Sequence, residues 1–552
     1  MLQMKGKSSG MPERILLVDL TSSEYDYIPY AEKEVFGRGL VLDLFEKYLP
    51  DETGRYDPDN LIVIVPGLFS GTPAPSACRM FVATIEAGDR GVQISNTSGN
   101  MPQKLGSLGI AGLVIRGKAP SRGTVLHISR NGVRITADDS LNGISCGKVI
   151  EKLKDRYSRD SAVIGCGIAG DMMLSLSTYF CTFPDGTPEY HCSRDGFGDV
   201  WGAKNLRAVV VEEDSYFARE VKDPERFSSL AKKLARLIIN DEVCGKALPS
   251  YGSMTIMKIL EDPDRPVSGL VLQKHKPDSS SGKDKSKQDV RVNRNCAPMC
   301  VIGCLNRHAE GTGIQYSTPS QAETQGMISK CFGVDDPGLA KDVQDIASEI
   351  GIVATEFVSA CKTYAESLRI EHGEEHLIEW LREVEKGSTE GRVIASRTYG
   401  LAKLYADEDL SGWIDRKAIQ DEKLFDIRLN TKYPQFSGLS ELDLLYSQVF
   451  VLENLGFCIF TAFALLDRTE TFELMAEMVE AMLGTKLDGA DLIANANKCL
   501  NNEREYNMHR WMTAQKTSIP PFTKVLYRYF GSKAGTKPEG TGDATFGSRN
   551  ES

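Results

Sequence analysis

The sequence predicts an α+β protein in which a β-rich first third precedes two mainly α-helical regions. Three observations carry that expectation. Between residues 13 and 214 the apolar runs are short, rich in Val and Ile, and separated by Gly, Pro, Asn and Asp, as in a series of short strands. Beyond Asp214 the apolar residues take up the spacing of amphipathic helices. At 552 residues the chain exceeds what one hydrophobic core serves, so several domains are expected.

Residues 1–12 are polar and expected to be disordered. Strands are then expected at Ile15–Leu20, Leu61–Val65, Met80–Ile85, Leu113–Ile115, Val125–Ile128, Val133–Ile135, Ala162–Ile164 and Ala208–Val211, with one helix at Gly147–Tyr157. In the helical part, Asp223 followed by Pro224 supplies an N-cap and first turn, after which Phe227, Leu230, Leu234 and Leu237 recur on one face. Further helices are expected at Val343–Glu349, Thr355–Leu368, His376–Glu385, Val393–Tyr405, Glu441–Glu453, Thr471–Leu483 and Asp491–Trp511. Residues 215–420 and 421–530 are assigned to two helical domains, and 531–552, rich in Gly, Lys, Thr and Ser, to a disordered tail. No short-period repeat is visible.

The net charge of −11 argues against nucleic acid or an anionic membrane as the main partner, since both need basic patches. Thirteen cysteines, an odd number, without a charged-then-apolar leader predict a reducing, cytoplasmic setting and no disulfide framework. The longest apolar run, Phe457 to Leu466, is about half of the roughly 20 residues that span a bilayer.

The densest chemical signal is Cys296-Ala-Pro-Met-Cys300-Val-Ile-Gly-Cys304, three thiols within nine residues. Such spacing suits three corners of an iron-sulfur cluster, with a fourth thiolate from elsewhere. A Cys3His zinc site using His308 is the rival, and three buried core thiols the plain alternative. In the first third, Phe36-Gly-Arg-Gly-Leu40, Val65-Pro-Gly67, Ser70-Gly-Thr72, Cys78-Arg79, Ser95-Asn-Thr-Ser-Gly99 and Arg194-Asp-Gly-Phe-Gly198 sit where strands give way to loops. Loops of this kind let backbone N–H groups approach an anion, with Arg79 and Arg194 available for bidentate contacts. Singly, each is more often an ordinary tight turn.

Taken in order, these pieces resemble the aldehyde:ferredoxin oxidoreductase family of tungsten or molybdenum bis-pterin enzymes, most specifically through Gly196-Phe-Gly-Asp-Val-Trp-Gly-Ala-Lys-Asn-Leu-Arg-Ala208. The resemblance implies a β-rich platform for two pterins, with Arg79, Asn96, Ser98, Arg194, Gly196 and Gly198 at their edges. Gly351, Glu453, Gly456 and Phe457 would meet them from the helical side. It names Cys458 as the fourth ligand of a [4Fe-4S] cluster held by Cys296, Cys300 and Cys304, which leaves His308 a neighbour. Glu323 takes the place of the family's metal-side carboxylate and would serve as general base. The metal would be held by the pterins, with Mg as a companion ion, and electrons would leave for ferredoxin or an iron-sulfur partner subunit. A homodimer is expected.

The chain departs from the family pattern in four places. Three residues separate Cys296 from Cys300, where two are usual. The pterin motifs read Ser348-Glu-Ile-Gly-Ile-Val353 and Glu453-Asn-Leu-Gly-Phe-Cys458, so the first lacks both its acidic residues. The segment from Ala406 to Leu439 is short and contains no His. The iron-bridging residues of some dimeric members are not recognisable. The leading reading is an oxidoreductase acting on an aldehyde or related carbonyl; the alternatives are a reductase or electron-transfer subunit of a larger complex, and a non-catalytic iron-sulfur or zinc protein on the same scaffold.

Overall fold

The computed structural model describes residues 11–30, 35–85, 91–184, 190–191, 196–252, 255–256, 295–305, 307–310, 313–316, 319–404, 429, 434–510, 525–526 and 529–530. Between residues 14 and 212 the described residues include two six-stranded sheets. The first contains β1 (Arg14–Asp19), β2 (Glu24–Pro29), β3 (Ile62–Pro66), β4 (Met80–Ile85), β5 (Val92–Thr97) and β6 (Ile110–Arg116), in the order β2-β1-β6-β3-β4-β5. The second contains β7 (Thr124–Ser129), β8 (Gly132–Ala137), β9 (Ala162–Cys166), β10 (Tyr179–Cys181), β11 (Tyr190–His191) and β12 (Leu206–Glu212), in the order β8-β7-β12-β9-β10-β11.

The second sheet repeats the first, strand for strand. In each, the first strand pairs antiparallel with the second and parallel with the sixth, and every other pair is antiparallel. Even the irregularity is shared: one residue is skipped at the second position of the sixth strand, Ala111 in β6 and Arg207 in β12. Helices recur at equivalent places, with α1 (Arg38–Tyr48) matching α3 (Cys146–Arg156) and α2 (Met101–Ser107) matching α4 (Gly198–Ala203). The chain therefore contains a long-period duplication absent from the expectations above.

Both faces of the central strands are apolar, as a sheet covered on two sides requires. Ile62, Ile64, Met80 and Val82 of the first sheet share one core with Ile164, Tyr179, Val209 and Val211 of the second, with α2 and α4 between them. Val63, Val65, Phe81 and Ala83 turn outward against Leu40, Leu44 and Phe45 of α1. Val163, Phe180, Ala208 and Val210 turn outward against Val149, Ile150 and Leu153 of α3. All eight expected strands are present; β2, β5, β10 and β11 are additional.

The helical part comprises α5 (Pro224–Asn240), α6 (Pro319–Phe332), α7 (Pro337–Ile350), α8 (Ala354–Leu368), α9 (Leu377–Lys386), α10 (Thr389–Ile394), α11 (Arg397–Leu404), α12 (Glu441–Leu455), α13 (Thr469–Leu483) and α14 (Gly489–Arg510). Asp223 caps α5 as expected, accepting the Arg226 N–H at 3.0 Å. The cores divide differently from a split at residue 420. Phe227, Leu230, Leu234 and Ile238 of α5 pack with Leu445, Phe472, Met475 and Ile493 of the last helices, together with Ile302 and Cys304 of the cysteine loop. Helices α6 to α11 form a separate core around Val343, Phe357, Trp380 and Leu381. An amphipathic helix announces its buried face but not its partner.

The candidate cluster and cofactor site

Two loops, one from each half of the duplication, receive the two motifs of the helical part in the same way. After β3, the chain makes a close crossing at Gly67 with Gly456, where a Cβ on Gly67 would lie 2.1 Å from the Gly456 Cα. Leu68 and Phe69 donate N–H bonds to Asn454 and Leu455, both at 3.0 Å, and Arg79 donates to Gly456 at 2.9 Å. Ala77 forms an antiparallel bridge with Phe457. In the second half, Gly167 meets Gly351, Thr178 donates to Gly351 at 2.8 Å, and Ser177 bridges to Ile352. Gly456 and Gly351 both close a helix in the left-handed region, at φ 86° and 85°, which glycine adopts without strain.

This arrangement sorts the expected site residues into two equivalent places. Arg79, Asn96, Ser98, Glu453, Gly456, Phe457 and Cys458 converge at the first. Gly196, Gly198 and Gly351 converge at the second, where the Phe197 and Gly198 N–H groups reach the Ser177 carbonyl at 2.9 and 3.2 Å beside Thr178. The two places differ in chemistry: Thr178 stands where Arg79 stands, Ser348 where Glu453 stands and Val353 where Cys458 stands. Arg194 lies outside the described residues, as do 1–10, 405–428 and 531–552 and the His308 side chain.

The first place holds the thiols. Cys296 and Cys458 are packed with Cys78, Phe183, Ala297 and Leu305 in one buried group, and Cys304 and Cys300 border it from the adjoining helical core. Arg79, only 9% exposed, donates its Nη2 to the Cys458 sulfur at 3.3 Å. Hydrogen bonds from Cys300 and Cys78, supported by the Arg79 charge, hold the Cys296 thiol well below its ordinary range. The same shared proton with Cys296 pushes Cys78 and Cys300 up, while burial pushes Cys304 up. A guanidinium set among thiols favours thiolate, the form of cysteine that can ligate a metal.

Ser76 organises this pocket. Its N–H donates to Met299 O at 2.8 Å, its hydroxyl accepts the Val301 N–H at 3.2 Å, and its carbonyl accepts the Cys458 N–H at 2.9 Å. The residue sits at φ 56°, a left-handed conformation unusual outside Gly, Asn and Asp. Neither Ser76 nor the fifth thiol at Cys78 was expected to contribute, although Cys78-Arg79 stands out in the sequence. Among the described residues no group of three or more His, Cys, Asp or Glu side chains is arranged to hold a metal ion.

At the platform edge, Asn96 donates to Glu453 at 3.4 Å while its own Oδ1 is buried without a partner among the described residues. That orphaned acceptor fits the N–H edge of a pterin-like heterocycle. Glu453 is held in turn by Arg38, 2.7 Å away, which also grips Glu503 through two bonds at 3.0 and 2.6 Å. Arg38 belongs to the Phe36–Leu40 motif, but neither it nor Glu503 was expected at the site. Glu323 is half-buried on α6, a helix that packs against α7 and α8 in the other helical core.

Known proteins corroborate the architecture. Residues 15–213 match the family model for the N-terminal domain of aldehyde ferredoxin oxidoreductase, and residues 442–542 match that for its domains 2 and 3. The tungsten-containing aldehyde ferredoxin oxidoreductase of Pyrococcus furiosus is 22% identical over 71% of this chain and 66% of its own length. That of Thermococcus kodakarensis is 26% identical over 53% of this chain and 48% of its own, so the alignments span between about half and two thirds of these relatives. The WOR-like subunit of the aliphatic sulfonate oxidoreductase of P. furiosus is 27% identical over 40% of this chain and 37% of its own length. Among solved structures, a chain of the active site complex BamBC of benzoyl coenzyme A reductase superposes with a TM-score of 0.69 at 17% identity, covering 95% of this chain and 94% of that one. With the two family models together matching more than half of its 552 residues, the chain belongs to the aldehyde ferredoxin oxidoreductase family.

Proposed function

We propose that the chain is a tungsten- or molybdenum-pterin oxidoreductase acting on an aldehyde or related carbonyl, with electrons passing through a [4Fe-4S] cluster to ferredoxin or an iron-sulfur partner. The observation that carries this reading is the buried thiol pocket beside Arg79, at the junction of the first sheet and the Glu453–Cys458 segment. Cys296, Cys300, Cys304 and Cys458 would hold the cluster. Arg79, Asn96, Ser98 and Glu453 would hold one pterin, and Gly196, Gly198 and Gly351 would shape the bed of the other. The pterin-bound metal supplies two-electron redox chemistry when present.

The protein's part is binding, charge and proton handling. Arg79 places a positive charge between the thiols and the platform, where it offsets the negative charge of thiolates and phosphates. Asn96 offers a buried acceptor to a heterocycle N–H, and the Arg38–Glu453 pair fixes the carboxylate that faces it. Glu323 is the candidate base for deprotonating water or substrate. With no His in the segment after Ala406, Glu323 would act unaided, so turnover of simple aldehydes should be weak, general acid-base help being worth about 10²- to 10⁴-fold. Weakness beside a typical family member, and a further drop in Glu323→Gln, would support this assignment; fast turnover surviving that change would exclude it.

A second reading, a reductase or electron-transfer subunit within a larger complex, is favoured by that same short segment and by the multi-subunit names of two of the similar proteins. Metal analysis and EPR of anaerobically purified protein test both. Iron near four per chain with tungsten or molybdenum supports them; zinc alone overturns them. Size measurement of the native protein then separates a homodimer from a complex. No described helix is long and apolar enough to cross a membrane.

A further inference from the structure

The Gly196–Asp199 turn belongs to the second half of the duplication, yet residues of the first half hold it. Asp199 takes two arms of the Arg55 guanidinium, Nε at 3.0 Å and Nη2 at 2.8 Å, and both residues are buried. It also accepts the Tyr56 hydroxyl and the Val200 N–H, each at 2.9 Å. Gln93 of β5 donates to the Gly196 carbonyl at 3.2 Å and accepts from Arg55 Nη1 at 3.4 Å. We propose that Arg55 and Gln93 are positioning residues, a clamp by which the first half fixes this turn as the bed of the second pterin. This rests on the reading that Gly196, Gly198 and Gly351 shape that bed.

The contacts assign Asp199 a mechanical role. Each of its oxygens already accepts two hydrogen bonds, so the carboxylate holds a position and is not available as a base. Arg55 is fastened in its turn: Nη1 donates to the Ile85 carbonyl at the end of β4, and its own carbonyl accepts from the wholly buried Asn60. A planar fork meeting a carboxylate at two points fixes orientation as well as distance, which a lysine ammonium does not. Within its own half the turn lies hard against Ser175–Thr178. A Cβ on Gly196 would stand 2.6 Å from the Ser175 carbonyl oxygen, and one on Gly198 2.7 Å from that of Thr178. The Ser177 hydroxyl beside Gly198 is buried without a partner among the described residues, and it fits a polar edge of a bound heterocycle.

Strand β5 ties this clamp to the first place. Val92 and Ile94 pack toward α1, and Asn96 shares their face, whereas Gln93 lies on the opposite one because side chains alternate along a strand. One strand thus meets Glu453 through Asn96 and Gly196 through Gln93, and so sets the spacing of the two places.

The test compares wild-type protein with Arg55→Lys and Gln93→Leu, each purified anaerobically, by iron per chain, by pterin per chain from the fluorescence of released and oxidised cofactor, and by thermal midpoint. The expected result is wild-type iron in both variants with a loss of pterin, deeper in Arg55→Lys than in Gln93→Leu, which keeps the Arg55–Asp199 fork. Wild-type pterin in either folded variant would overturn the proposal. Iron lost in proportion to pterin would overturn it too, since the pair would then support the whole fold and not one place. Should Arg55→Lys fail to fold, Gln93→Leu decides alone, because it removes one partly buried bond. Absence of pterin from the wild type would instead remove the reading of the bed itself, which the fluorescence assay shows before any variant is made.

Discussion

Replacing Gly67 by Ala should unseat the segment that carries Cys458. The added Cβ would stand 2.1 Å from the Gly456 Cα and 2.5 Å from its nitrogen, where carbon atoms settle near 3.5–4.0 Å, so the two backbones must part by about 1.5 Å. Three backbone hydrogen bonds, from Leu68, Phe69 and Arg79 to residues 454–456, now measure 2.9–3.0 Å and would pass out of range. At about 1 kcal/mol each the loss is about 3 kcal/mol, before any strain from overpacking. The assay is iron per chain and thermal unfolding, read beside Gly167→Ala at the equivalent crossing. There a Cβ would lie 2.3 Å from the Ile350 carbonyl oxygen, yet the displaced segment ends in Val353 and carries no cysteine. Both variants should melt early; only Gly67→Ala should lose iron. A Gly67→Ala protein with full iron and a wild-type midpoint would refute the reasoning, as would equal iron loss in both.

Other outcomes follow from the same geometry. Cys458→Ser should lower iron content and bleach the visible absorbance, while Cys361→Ser, in the other helical core, and Cys499→Ser, whose sulfur faces Gly39 of α1, should leave both unchanged. Arg38→Met leaves Glu453 and Glu503 without their shared cation and should destabilise the protein by about 2–4 kcal/mol, measured by denaturant unfolding. Lys204, buried against the Pro58 and Gly117 carbonyls, is pushed down by burial to about 7. Between that value and its ordinary 10.5 the unfolded chain binds the extra proton, so stability gains up to about 1.4 kcal/mol per pH unit as pH rises. Lys204→Met should flatten that slope in melts recorded from pH 7 to 10.

How much of this could be read from residues alone depended on the kind of pattern involved. Runs such as Leu61–Val65 and Ala208–Val211 announce buried strands, and the Asp223-Pro224 start of α5 announces a helix. Helix α1 is concealed because Gly37 and Gly39 flank its first residue, and β5 because Gln93, Ser95 and Asn96 break the apolar run. The duplication leaves almost no side-chain trace: Arg79 answers to Thr178 and Cys458 to Val353, and what is shared is backbone hydrogen bonding, which sequence does not display. The grouping of α5 with the last helices was hidden for a related reason, since its apolar face fits more than one neighbour. The thiol pocket was foreshadowed by the Cys296–Cys304 spacing, with Cys458 named by resemblance. Cys78 and Ser76 acquire their meaning only when residues from three distant stretches meet.

That meeting bears on how the protein matures. The pocket is assembled from Ser76–Arg79, the Cys296–Cys304 loop and Cys458, and the Arg79–Cys458 contact closes a sequence separation of 379 residues. As the chain is synthesised from its N-terminus, the duplicated sheets are complete long before Cys458 exists. The receiving loop must wait with its buried thiol and arginine uncovered. Docking of the Gly456 segment is thus among the last folding events, because contacts this remote pay their loop-closure cost late. Iron retained by freshly made protein is then a direct readout of whether the final third has docked, and a truncation ending before Glu453 should yield a folded platform that cannot keep a cluster.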